Sequence, residues 1–451
     1  MIDMLDVMFR LNEVCVVKHH PLRDYNVPFF EKAFATLIQD GYLAQMTGGP
    51  KESSDLVNHP SVDHVHMTGG KPTHDGIVYG FDKTEQAKNK AAEKPVLKAE
   101  MTSELGCVTP WIVTPQPGWT DGDSLTPTPN LTLNLTLIMI LSLMLPTDDV
   151  EHHVKQLVAG ITSNNSCNCL APKMLVIDKD WDKTEFFLSK LKFHLNTRAL
   201  VAPYYPGTTQ RYEAFKKAYP KQMEQIKGEL GGPPDVAGAG KAMSEPCPWM
   251  VITLEEDVLD KKEWEYALRN EPFAPVFHIA LLTGTGEEDA FLSKAVSFVN
   301  DELFGTLSMT LLAKDSTPAV EKAIADLRYG AIALNAWTAQ CVSAPCATWG
   351  AYPGESLNDV QSGIGVVYNC LFYDHVQKSV LRSPFIEASH IGTAGIPSIH
   401  MARALVGLLT KPSLGAFVGL LTADVPRHKI MFAAGAAVMA VAILTRYTLF
   451  K

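Results

Sequence analysis

Short apolar runs alternate with stretches of helical spacing along most of the chain. This alternation constrains the fold more than any other feature. Val14–Val17, Val62–Met67, Met174–Ile177, Trp249–Leu254 and Val276–Leu282 read as strands, the first of them buried. Phe29–Ile38, stopped by Gly41, and the later Val150–Ile161 and Asp289–Val299 carry apolar residues at helical intervals. Strands separated by helices build sheets covered on both faces, so the expected class is α/β. A length of 451 residues suggests two or three domains.

Two segments break the pattern. Asp121–Asn130 is rich in Thr and Pro and leads into Leu131–Leu145, a run with neither charge nor Pro. Such a run is aggregation-prone when exposed, and 121–147 reads as a low-complexity insertion. Near the other end, Ile430–Leu444 is uniformly small or apolar, with Arg427, His428 and Lys429 before it and Arg446 after it. Extended to Phe450, it reaches the roughly 20 residues of a spanning helix. The segment 430–450 reads either as a membrane anchor holding the chain on the cytoplasmic side or as a helix buried against the body.

Charge and cysteine content narrow the function classes. Lys and Arg number 39 against 49 Asp and Glu, a net charge of -10 with no basic run, which argues against a nucleic-acid partner. Eight cysteines are too few for a disulfide framework and fit a reducing compartment. Asp3 and Asp6 stand where a secretory leader would carry positive charge.

Several separated motifs carry chemistry. Val16-Val17-Lys18 ends a strand in a cation. Thr68-Gly69-Gly70 forms a strand-to-helix turn whose backbone N–H groups could approach a pyrophosphate, with a plain β-turn as the alternative. Thr102-Ser103-Glu104-Leu105-Gly106 offers a carboxylate, and Asn164–Pro172 contains Cys167 and Cys169. The alternatives for the cysteines are plain burial or half of a zinc site, but no second Cys/His pair stands at ligand spacing. Arg269–Val276 holds Glu271 and Phe273. His64 and His66 alternate at a strand end, with His74 beyond them, and read as surface residues. Gly284-Thr285-Gly286 lacks a third glycine, and Gly238–Lys241 lacks the P-loop spacing.

In this order, these stretches resemble the aldehyde dehydrogenase superfamily. The resemblance implies a Rossmann-like cofactor domain, here incomplete, followed by an α/β catalytic domain. It divides the chain into a partial NAD(P)-binding domain over 1–120, the insertion over 121–147, a catalytic domain over 148–370 and a C-terminal extension over 371–451. It implies that Lys18 contacts the adenine ribose and that Thr68, Gly69 and Gly70 hold the pyrophosphate. Glu271 would hold the nicotinamide ribose, with Phe273 beside the nicotinamide. Cys169, aligned through Ala171, would be the nucleophile, and Glu104 would activate the water that hydrolyses a thioester. Leu327–Asn335 resembles the family's late strand ending in Asn.

The implied reaction is NAD- or NADP-dependent oxidation of an aldehyde to a carboxylic acid. Pro21 stands where the family's NAD-selecting Glu would, so both cofactors stay open. No metal is implied. Partners would be a small-molecule aldehyde and a second copy in a homodimer. An apolar anchor would resemble that of the membrane-bound fatty aldehyde dehydrogenases and would favour a long-chain substrate.

The chain departs from the family at several positions. Met67, Gly70, Cys107, Ser166, Cys167 and Ala274 replace Phe, Ser, Gly, Gly, Gln and Gly. The first half of the cofactor domain, with the Trp-Asn segment that completes an oxyanion hole, has no counterpart here. Losing one oxyanion donor costs about 10²–10³ in rate in a comparable hydrolase, so an impaired or inactive homologue is the alternative expectation. The thiol near backbone amides is expected to have a lowered pKa and so to ionise easily, and Glu104 to activate water through a pKa raised by desolvation.

Overall fold

The computed structural model describes residues 2–120, 149–230, 246–257, 260–284, 286–344, 347–368, 373–386 and scattered positions between 403 and 419. The expected insertion at 121–147 and the expected anchor at 430–450 lie outside the described residues. Among the described residues, no helix is long and apolar enough to cross a membrane. Residues 1–393 form one compact unit and 394–451 another.

The first six strands are β1 (Cys15–Lys18), β2 (Leu43–Met46), β3 (His64–Gly69), β4 (Glu100–Leu105), β5 (Pro110–Val113) and β6 (Met174–Asp178). The centre of the first unit is an eight-stranded sheet. Its order is Ser379–Arg382, Ala331–Leu334, Ser308–Leu312, β5, β6, Val276–Leu282, Trp249–Glu255 and Met223–Ile226. Every neighbouring pair is parallel except the last.

Strands with both faces covered read as continuous apolar runs. Met174–Asp178, Val276–Leu282 and Ser308–Leu312 are buried at every position. Side chains still alternate across the sheet. Val176 and Ile252 join one core, with the helices Thr208–Ala218 and Glu288–Asp301. Ile177 and Val251 join the other, with Asp149–Thr162 and Thr184–Asn196. Each such Leu, Ile or Phe contributes roughly 1.5–3 kcal/mol by leaving water.

Segment 1–120 contributes to three sheets. β1 and β2 pair in parallel with each other alone. β3 and β4 also pair in parallel, and Gly363–Ile364 joins β4 antiparallel. β5 belongs to the large sheet. Two local expectations are corrected here. The strand expected to be buried at Val14–Val17 has Val14 at 71% and Val16 at 49% exposure, because a two-stranded sheet leaves a face open. The single helix expected over Phe29–Ile38 breaks at Phe34 (φ -116°, ψ 27°) into Val27–Ala33 and Ala35–Gln39. The break goes with Phe30 and Phe34 both packing on the Met4–Met8–Leu43 cluster, so tertiary packing overrides helix continuity.

Gly363 shows why β4 is held where it is. It has φ +124°, and a Cβ there would lie 1.9 Å from the Ser103 carbonyl oxygen. Only glycine lets this short strand close onto β4.

Candidate active site

The turn before β6 carries two cysteines and is strained. Asn164, Asn165 and Ser166 have φ of 52°, 55° and 60°, three consecutive left-handed residues that are not glycine. Each costs of order 1–3 kcal/mol and persists only where surrounding structure enforces it. Several contacts do so. The Lys173 Nζ donates to the Ser166 carbonyl and, at 3.0 Å, to its Oγ. Asn168 Nδ2 donates to the Ser163 carbonyl at 2.9 Å, and its Oδ1 accepts from Leu170 N at 2.9 Å. Trp337 Nε1 donates to the Leu170 carbonyl at 2.7 Å.

The two thiols face different neighbours. Cys167, 6% exposed, lies 3.4 Å from the Phe273 carbonyl and 3.6 Å from Thr208 Oγ1. Cys169 is half-buried, and its Sγ donates to Glu104 Oε1 at 3.2 Å. The other Glu104 oxygen accepts from Trp349 Nε1 at 2.9 Å. A thiol from the turn before the large sheet thus meets a carboxylate on β4 of the small one. Burial raises the Glu104 pKa, while its bonds from Cys169 and Trp349 draw it back.

The expected easily ionised thiol is corrected. Burial and the adjoining Glu104 carboxylate push the Cys169 thiol well above its usual range, and the Lys173 ammonium opposes them less strongly. Thiol and carboxyl therefore compete for a proton.

Glu271 packs against Gly106. A Cβ on Gly106 would lie 1.8 Å from Glu271 Oε2, so only glycine admits this carboxylate. The Cys107 backbone N–H donates to the carboxylate, while Oε1 is buried with no hydrogen-bond partner among the described residues. Arg211 holds the next turn. Its Nε donates to the Pro272 carbonyl at 3.0 Å and its Nη2 to the Phe273 carbonyl at 3.1 Å, with Phe273 at φ 44°.

No family model matches the sequence, and no curated protein matches it. Solved structures do match. An NAD-dependent aldehyde dehydrogenase from Sinorhizobium meliloti is 15% identical over 78% of this chain and 57% of its own, with a TM-score of 0.51. Lactaldehyde dehydrogenase from Escherichia coli is 18% identical over 78% and 60%, with a TM-score of 0.50. The glyceraldehyde-3-phosphate dehydrogenase GapN from Methanocaldococcus jannaschii, complexed with NADP, is 15% identical over 78% and 63%, also with a TM-score of 0.50.

The chain has the aldehyde dehydrogenase fold. It spans 57 to 63% of the length of these three structures. Within that fold, Cys169, Glu104, Glu271 and Phe273 gather round the junction of β4 and the Cys169 turn. Thr68 and Gly69 lie beside Glu104 and Leu105 in the β3–β4 register. Gly70 caps the helix Lys71–Tyr79, whose first turn contains no acid. Lys18 is not brought to this junction by any hydrogen bond or ion pair among the described residues; it ends β1 in the separate two-stranded sheet.

Three residues of the site were not anticipated. Lys173 is fully buried, and a lysine immediately before an apolar strand was a local signal for it. Arg211 and Trp349 gave none, since their partners are 61 and 245 residues away in the chain.

Burial pushes the Glu271 carboxyl up to about 7, against the pull of Lys173, the Cys107 N–H and Arg211. The folded state therefore keeps a proton that the unfolded chain releases. The sign follows: this group's contribution is fully present below the unfolded pKa of 4.5 and is lost as pH rises through about 7. Glu271→Gln is expected to gain stability over the parent between pH 4.5 and pH 8, by on the order of 3 kcal/mol. Denaturant unfolding of both proteins at the two pH values measures it, and a pH-independent difference would contradict it.

Proposed function

We propose that the chain oxidises an aldehyde to a carboxylic acid with NAD or NADP, through a thioester on Cys169. The observation that carries this reading is the 3.2 Å contact between Cys169 Sγ and Glu104 Oε1. A nucleophile touching a base is the arrangement covalent acyl chemistry requires.

Cys169 gives its proton to Glu104, and the thiolate adds to the aldehyde carbon. The nicotinamide, when bound, supplies the acceptor for the hydride that leaves this carbon, and a thioester remains on Cys169. Glu104 then takes a proton from water, whose oxygen adds to the thioester carbonyl. The C–S bond breaks, the acid leaves and the thiolate is recovered.

The residues fit a nicotinamide cofactor at one well-defined point. Glu271 Oε1 is a buried acceptor without a partner among the described residues, which suits a ribose hydroxyl. Thr68, Gly69 and Gly70, at an acid-free helix start, would receive the pyrophosphate, and Phe273 would flank the nicotinamide. Lys18 would contact the adenine ribose.

The test uses the recombinant chain, aldehydes of graded length and each cofactor. Absorbance of reduced nicotinamide should rise with at least one pair. No rise with any pair would overturn the reading and favour a homologue of this fold without turnover.

A further inference from the structure

The proposed chemistry leaves Glu104 with a proton to dispose of. It accepts one from Cys169 and must lose it before it can accept another from water. The fold places a hydrogen-bonded path next to it. In the parallel register of β3 and β4, His66 pairs with Thr102 and Thr68 with Glu104, so His64, His66, Thr102 and Glu104 share one face of the sheet. His66 Nδ1 lies 2.9 Å from Thr102 Oγ1, and His64 Nε2 lies 2.9 Å from the same oxygen. His64 Nδ1 lies 3.0 Å from Oε2 of the exposed Glu13.

The inner end of this path opens on the carboxylate. Glu104, His66 and Thr102 line one pocket of about 20 Å³ together with Asp6, Arg10 and Trp349. That is room for about one water. His66 Nε2 is buried and has no hydrogen-bond partner among the described residues.

Resting on the function proposed above, we propose that His66, Thr102 and His64 form a proton exit from Glu104 to Glu13 at the surface. With both rings neutral, the donor directions follow from the partners. The Glu13 carboxylate accepts, so His64 Nδ1 carries hydrogen and Nε2 accepts from the Thr102 hydroxyl. That hydroxyl then accepts from His66 Nδ1–H, which leaves the His66 Nε2 lone pair for an incoming proton. One proton passes from Glu104 through a cavity water to His66 Nε2. His66 Nδ1 releases one to Thr102, Thr102 to His64 Nε2, and His64 Nδ1 to Glu13 and solvent. One proton enters and one leaves; the hydroxyl resets by rotation, and each ring returns to its Nδ1–H form by exchanging protons with water.

The surroundings are mixed in charge. The helix Ile2–Arg10 brings Asp3 and Asp6, which favour a proton on His66, and Arg10, which opposes it. His64 on the same strand also opposes it, and burial depresses the His66 pKa most. Burial thus favours the neutral ring, in keeping with the unpartnered Nε2.

Two measurements on the full chain test this. Long-range ¹⁵N–¹H correlation of the histidine side chains should show His64 and His66 both as Nδ1–H tautomers, and Thr102→Val should abolish that pattern. An Nε2–H tautomer at His66 in the parent would overturn the relay, whether or not the chain turns over an aldehyde. With turnover, Thr102→Val should lower the steady-state rate about tenfold. That is less than the 10²–10⁴ of a direct acid–base group, because water offers a slower route. The first-turnover burst of reduced nicotinamide should keep its amplitude, the solvent deuterium isotope effect should rise, and Thr102→Ser should restore both rate and isotope effect. A Thr102→Val variant with the parent's rate, or one that loses the burst, would overturn the relay. A parent without turnover overturns the oxidoreductase reading alone and leaves the tautomers to decide the path.

Discussion

Cys169→Ala is expected to abolish reduction of the nicotinamide, lowering the rate by about 10⁴ or more, as removal of a nucleophile does elsewhere. Cys167→Ala should keep turnover, because the two thiols face different neighbours. Cys169 meets Glu104 at 3.2 Å, whereas Cys167 points at the Phe273 carbonyl and Thr208. Losing Cys167 removes a small buried side chain, with the modest packing cost of such a change. The measurement pairs cofactor reduction with mass-spectrometric mapping of iodoacetamide labelling. Labelling at Cys169 should be slow at neutral pH and accelerate with rising pH, since burial and Glu104 hold the thiol protonated. Equal loss of turnover in both variants would remove the assignment of the nucleophile.

The sequence shows those parts whose physics is local. Met174–Asp178 and Val276–Leu282 are apolar throughout because both faces are covered, and they were readable as strands for that reason. The site motifs were readable because glycine is demanded where backbone or carboxylate comes close, as at Gly106 under Glu271. What sequence could not show depends on distant chain. The thiol's resistance to ionising comes from burial and from a carboxylate 65 residues away, and the second bond to that carboxylate comes from Trp349. Phe34 breaks a helix whose periodicity is unbroken, alongside a packing partner contributed by Leu43. His64 and His66 were visible as an alternating pair, but the hydroxyl that joins them lies on the neighbouring strand. Strand register, rather than either histidine, turns them into a connected chain.

Glu104→Gln separates the two halves of the proposed cycle. Hydrolysis of the thioester needs a base for water, and glutamine cannot supply one, so steady-state turnover should fall by about 10²–10⁴. Acylation needs only a thiolate, and here the substitution acts in the opposite direction on ionisation. The Glu104 charge is one of the causes that push the Cys169 thiol up, so a neutral side chain in its place lowers the thiol's pKa. Glutamine is nearly isosteric and still presents an oxygen to Trp349 Nε1, so the geometry of the site should survive. The variant should therefore release one equivalent of reduced nicotinamide per chain and then stall, with acyl-enzyme detectable by intact mass. Its iodoacetamide labelling at Cys169 should be faster than the parent's at neutral pH, a result that needs no substrate. Slower labelling would mean that Glu104 activates the thiol more as a proton acceptor than it suppresses it as a charge. Undiminished steady turnover would mean that another group activates the water.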